Sequence, residues 1–157
     1  MIIGLKGEKS KLDVLYKGLG LKQISPNSFE ELEEAITSID GNTVILGYNE
    51  IMVFENPTAD LVEKRAKVLS AIKSCKKNIY LSLTKTDPSL DKLSLDLYVC
   101  TKMDTNDMKE IEEVFGFCNT DLPYSGKLSN DTYAVRLHSE NRAVERTIDD
   151  IKKLINE

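Results

Sequence analysis

Short apolar runs alternate with segments of helical period along the chain, and this alternation restricts it to an α/β fold. Ile2 to Leu5, Val44 to Tyr48, Ile79 to Leu83, Leu97 to Cys100 and Tyr133 to Leu137 are each four or five residues long and rich in β-branched and aromatic types, which predicts strands. They are apolar almost without interruption, as strands are when helices cover both faces of a mostly parallel sheet. Phe29, Leu32, Ile36 and Ile39 recur at helical spacing behind Ser28, an N-cap residue, and the helix they predict stops near Gly41. Its glutamates Glu30, Glu31, Glu33 and Glu34 stand in the first turns, where the helix dipole favours them. Leu61, Val68, Leu69, Ile72 and Cys75 form a second stripe, with Lys73, Lys76 and Lys77 at its C-terminal pole. Met108, Ile111, Val114 and Phe115 form a third, ended at Gly116, and Val144, Ile148, Ile151 and Ile155 a fourth, capped by Ser139. The link from Leu83 to Leu97 has room only for a turn or a short helix around Ser89 to Leu93. Residues 117–131 show no clear period and read as a long loop.

No repeat, low-complexity tract or Pro/Gly linker divides the 157 residues, so residues 1–157 are expected to form a single α/β domain. A formal charge of −5 gives the molecule no overall attraction for nucleic acid, which could be met only through a local basic patch. Cys75, Cys100 and Cys118 match no zinc-ligand spacing and leave an odd thiol in any disulfide scheme, so a reducing, cytoplasmic setting is expected. The N-terminal apolar stretch is too short for a signal sequence, and no run reaches the roughly 18 apolar residues of a membrane span.

In an open α/β sheet the ligand crevice lies beyond the carboxyl ends of the strands. The first such end leads from Gly4 through Gly7 to Lys9, Ser10 and Lys11, the layout of a loop whose backbone N–H groups and helix N-terminus cradle a phosphate. The same residues also make an ordinary tight turn from strand to helix. A Walker A loop needs G-x-x-x-x-G-K-[ST]; here the spacing is short and Gly7 is followed by Glu8, whose carboxylate repels phosphate. The second end continues to Asn49 and Glu50, where an ATPase carries a magnesium-holding aspartate and a glutamate that polarises the attacking water. Asn49 contributes no charge to a metal, and Glu50 is the one candidate catalytic base; it reads also as an exposed loop carboxylate. The third end reaches Thr84, a hydroxyl at the place of a γ-phosphate sensor, or simply strand-end polarity. His138, the only histidine, excludes a multi-histidine metal site and reads as solvated.

Taken in order, these segments resemble the P-loop packaging and assembly ATPases of filamentous phages and archaeal viruses, the zonular-occludens-toxin-like relatives of the FtsK/HerA translocases. The similarity runs from Asn42 to Asp104, about 40% of the chain, with "VILGYNEIMVF" at the place of the Walker B strand and Leu69 to Lys102 at the place of a basic helix, a sensor strand and the next strand. The resemblance implies a three-layer α/β/α fold around a mostly parallel five-stranded sheet in the order 5-1-4-3-2, with Lys22 to Ser25 as an edge strand. It also implies nucleotide contacts at Gly4, Gly7, Lys9, Ser10, Lys11, Asn49 and Thr84.

Each departure from that family points the same way. The Walker A lysine is missing, Asn49 replaces the metal aspartate, the sensor glutamine near Thr84 is absent, and lysines such as Lys73 stand where the family has arginines. Phosphoryl transfer rests on positioning and electrostatics, so losing all of these implies an inactive or very weak ATPase-like domain. The expected role is a binding or assembly module in DNA packaging or translocation, meeting a protein partner or further copies of itself. No cofactor is expected, with ATP and Mg²⁺ the pair a surviving site would take. The alternatives are a weak ATPase or nucleotide kinase using Lys9 or Lys11, and an unrelated flavodoxin-like or receiver-like regulatory domain, whose strands would run 2-1-3-4-5.

Overall fold

The apolar runs pair into one sheet because side chains on both of their faces need cover. A computed structural model of the chain describes residues 1–7, 9–84, 95–100, 125–127, 133–136 and 141–156. Its strands are β1 (Ile2–Lys6), β2 (Lys22–Ile24), β3 (Thr43–Ile45), β4 (Ile79–Leu83), β5 (Leu97–Cys100), β6 (Ser125–Lys127) and β7 (Tyr133–Arg136). Its helices are α1 (Lys9–Leu19), α2 (Phe29–Thr37), α3 (Tyr48–Met52), α4 (Ala59–Ser74) and α5 (Asn141–Asn156).

The sheet runs β2-β3-β4-β1-β5-β7-β6. The five strands β5-β1-β4-β3-β2 are all parallel and stand in the expected 5-1-4-3-2 order. A 2-1-3-4-5 order would put β1 between β2 and β3; here it lies between β4 and β5. Beyond the expected five strands the sheet extends by two, β7 parallel to β5 and β6 antiparallel to β7 at the edge. β6 falls inside the segment read as a loop because Ser-Gly-Lys carries none of the apolar, β-branched or aromatic types that mark a strand. A hydrogen-bonded edge can recruit such a segment without any help from its side chains.

Helices cover both faces. Leu12, Leu15 and Tyr16 of α1 and Ile148 and Ile151 of α5 pack against Ile3, Leu5, Val44, Tyr80, Leu97 and Val99. On the other face Leu32 and Ile36 of α2, Tyr48 and Met52 of α3, and Val68 and Ile72 of α4 pack against Ile45, Ile79, Leu81, Leu83 and Tyr98. Alternate residues of one strand thus serve opposite layers, as the two-residue period of a strand requires. Full burial of each such aliphatic side chain stabilises the fold by about 1.5–3 kcal/mol.

Local signals place the helices. Ser28 caps α2, its Oγ accepting the Glu31 N–H at 3.1 Å, and Thr58 does the same for α4 through the Leu61 N–H at 3.2 Å. α2 ends at Thr37, short of Gly41, and Ile39 is buried just past the helix. The N-terminal ends of α2 and α4 are tied by Lys64, which meets Glu30 at 3.5 Å and Asp60 at 3.4 Å, and by Phe54, edge-on to Phe29 and under the Arg65 guanidinium at 4.8 Å. The Asp60 carboxylate raises the Lys64 pKa, and the Glu30 pKa is lowered by its own backbone N–H and then by Lys64. The expected helices at Ser89 to Leu93 and Met108 to Phe115, with Cys118, His138 and Ser139, lie outside the described residues.

Candidate functional site

The sheet order fixes where a ligand crevice belongs. From β1 the chain crosses β4 and β3 to reach β2, whereas from β4 it passes to β5 in the opposite direction. The winding therefore reverses between the neighbours β1 and β4, and the crevice lies outside their carboxyl ends. Lys6 and Leu83 are the last paired residues there, so Gly7 and Thr84 leave the sheet side by side.

Asn49 reaches this point from β3. β3 ends at Ile45, two residues before Gly47, which turns the chain in a left-handed conformation (φ 74°, ψ 17°) into the single turn of α3. Tyr48 and Met52 anchor that turn in the core, and Asn49 is buried with them at 3% exposure. Its amide oxygen accepts the Thr84 backbone N–H at 2.7 Å and the Thr84 hydroxyl at 3.3 Å. A buried amide oxygen left without donors would cost about 1–3 kcal/mol, and these two bonds offset that cost for Asn49 Oδ1.

The structure thus brings Asn49 and Thr84 into contact, with Gly7 beside Thr84 where β1 and β4 leave the sheet. Three expectations are corrected. The strand expected over Val44 to Tyr48 stops at Ile45, because Gly47 takes a conformation that ends a strand, so Asn49 and Glu50 sit on a short helix and not at a strand end. Gly4, expected in a phosphate loop, lies within β1, pairing with Leu81 and Tyr98; a Cβ there would stand 3.0 Å from methyl groups of both Leu83 and Leu95. It is a glycine of close packing inside the sheet. The loop itself is then shorter than expected, since β1 ends at Lys6 and α1 begins at Lys9, leaving Gly7 and Glu8 between them, the latter outside the described residues. Lys9 and Ser10 are exposed at the start of α1, Lys11 is half-buried, and Glu50 is exposed on α3.

Chemically the edge offers a buried neutral amide, a hydroxyl and the first N–H groups of α1, flanked by Lys6, Lys9 and Lys11. Among the described residues no group of three or more His, Cys, Asp or Glu side chains is placed to hold a metal ion. A second polar pair lies on the other face of β4, where the Tyr16 hydroxyl donates to Ser82 Oγ at 3.0 Å. Burial raises the Tyr16 pKa, against the lowering effect of that bond. Two features escape a reading of motifs: the Asn49–Thr84 bond, whose partners are far apart in sequence, and Asp40 at the opposite edge. Asp40 takes the Asn42 N–H and the Thr43 hydroxyl on one oxygen, each at 2.9 Å, and Lys22 on the other at 2.9 Å. The Asn42 N–H, then Lys22, hold its carboxyl well below the usual carboxylate range. An Asp-Gly-Asn-Thr turn carries that signal in the sequence.

None of the described helices is long and apolar enough to cross a membrane. No protein-family model, curated protein or solved structure matches the chain.

Proposed function

We propose that the chain is a P-loop-like domain that hydrolyses nucleotide very weakly or not at all, and that it serves as a binding or assembly module beside an active ATPase or further copies of itself. The setting is a cytoplasmic DNA packaging or translocation apparatus. The observation that carries this reading is Asn49: at the reversal point of a 5-1-4-3-2 sheet, where such an ATPase needs a carboxylate for magnesium, stands a buried neutral amide spent on Thr84. The short exit from β1 supports it, because two residues between Lys6 and Lys9 leave less backbone than the Walker A loop uses to wrap a phosphate. Cys75, a free and half-buried thiol, is compatible with a reducing compartment.

Thermal unfolding with ATP and magnesium tests the reading. A ligand bound only by the folded state stabilises it by about 2.7 kcal/mol at a hundred times its dissociation constant, so a bound nucleotide would move the melting temperature by several degrees at millimolar ATP. Little or no shift is expected, together with phosphate release at background. Release above background that disappears in Lys9→Ala and Lys11→Ala would overturn the proposal in favour of a weak ATPase or nucleotide kinase.

A further inference from the structure

The edge of the sheet opposite the crevice carries a different chemistry. There α4 ends, and Lys73 in its last turn and Lys76 and Lys77 just beyond it are all exposed. Lys22 and Lys64 each have a carboxylate partner; these three lysines have none among the described residues. The Asp40–Asn42 turn sits against them, a Cβ on Gly41 lying 3.8 Å from that of Lys77. The one acid in that turn, Asp40, is already neutralised by Lys22, so the surface keeps a local positive charge on a molecule of net charge −5. Ser74 at the end of α4 and Asn42 in the turn are exposed and neutral.

We infer that this amino-edge surface of Lys73, Lys76 and Lys77 contacts the phosphate backbone of nucleic acid. The inference stands on these side chains alone and does not use the reading of the crevice. The helix dipole accounts for a basic residue in the last turn of α4, but its effect fades beyond that turn, where Lys76 and Lys77 lie. A protein partner is the weaker fit. Protein interfaces are anchored by aromatic and arginine side chains and are depleted in lysine, and among the described residues this surface has lysine, serine and asparagine with no aromatic residue or arginine. Those are the side chains that position a protein on phosphates without reading sequence. The acidic remainder of the molecule repels a polyanion, so the contact is confined to this edge and is strongest at low salt.

Fluorescence anisotropy of the full chain with a labelled 30-base-pair duplex, over 20–200 mM salt, tests the inference. Binding is expected at 20 mM, indifferent to sequence, with log K falling against log salt at a slope of about −2.7, the value for three neutralised phosphates. The triple variant Lys73→Gln, Lys76→Gln, Lys77→Gln should bind at least about tenfold more weakly, and Lys67→Gln, at an exposed position midway along α4, should leave affinity within about twofold. All four lysines are exposed, and unchanged circular dichroism verifies the fold of each variant. No binding at 20 mM salt, binding that the triple variant retains, or equally tight binding of a polyglutamate of matched charge would each overturn the assignment, the last in favour of an acidic protein.

Discussion

The exits of β1 and β3 begin alike and end differently. Each is a buried parallel strand that leaves the same edge of the sheet through a glycine into a helix. After Gly7 the residues Lys9 and Ser10 are exposed, and α1 runs for 11 residues along the sheet. After Gly47 the residues Tyr48, Asn49 and Met52 are all buried, and α3 lasts five residues before the chain turns away. What differs is the side chains behind the glycine. Lysine and serine hold the first turn in water. Tyrosine and methionine pull the second into the core and carry an asparagine inside with them, where it must find donors. Polar groups at a strand exit are available to a ligand only when the apolar residues around them do not draw them inward.

The largest effect that could break this comparison belongs to Met52, fully buried between α3 and the α2–α4 layer. Met52→Ala should cost about 2–5 kcal/mol, as truncating a buried aliphatic side chain does, and Ile72→Ala on α4 should cost about as much. Equilibrium denaturation by urea measures both. A cost below about 0.5 kcal/mol for Met52→Ala, the level of an uncommitted surface position, would mean that α3 is not anchored by the core and that the two exits are alike after all.

How far the sequence reveals this arrangement depends on the signal each segment carries. β1 and β4 are legible because their apolar residues run to Leu5, one residue short of the end of β1, and to Leu83, the last residue of β4, and α2 is legible because Ser28 precedes a periodic stripe. The edge strand β2, with Lys22 and Gln23 exposed, is visible only through the resemblance, since a half-polar run of three residues has no pattern of its own. At β3 the pattern misleads. Val44 to Tyr48 is apolar apart from its glycine, and periodicity cannot tell a strand from a strand followed by a buried helical turn. Gly4 misleads for a related reason: a glycine needed for close packing and a glycine needed for a loop are the same letter. The bond between Asn49 and Thr84 joins residues 35 positions apart, and only tertiary structure creates it.

Asn49 sharpens the comparison at a smaller scale. Asn49→Ala removes the acceptor for the Thr84 N–H and hydroxyl and should cost about 1–3 kcal/mol, whereas Ser10→Ala, an exposed hydroxyl at the other exit, should stay within about 0.5 kcal/mol. Urea melts of the two variants side by side decide it. Equal costs would mean that burial does not distinguish the two sets of polar groups, and the argument that Asn49 is unavailable to a ligand would fall with it.

The smallest effect concerns Gly47, the residue that turns β3 into α3. Its φ of 74° lies in the left-handed region, where a Cβ crowds the following carbonyl at a cost of about 1–2 kcal/mol. Space is not the obstacle, because the nearest atom to a Cβ there is Glu50 Oε2 at 3.8 Å. Alanine also restricts the unfolded chain more than glycine does, which returns about 0.4–1 kcal/mol. Gly47→Ala should therefore destabilise by a net of about 1 kcal/mol, within a range of about 0–1.6, and Gly47→Asn by less than that, since asparagine tolerates the left-handed conformation through its short polar side chain. A ranking of Gly above Asn above Ala in thermal stability is the expected result. If alanine proves as stable as glycine, the chain can leave β3 without the left-handed turn, and the early end of that strand needs a cause other than Gly47.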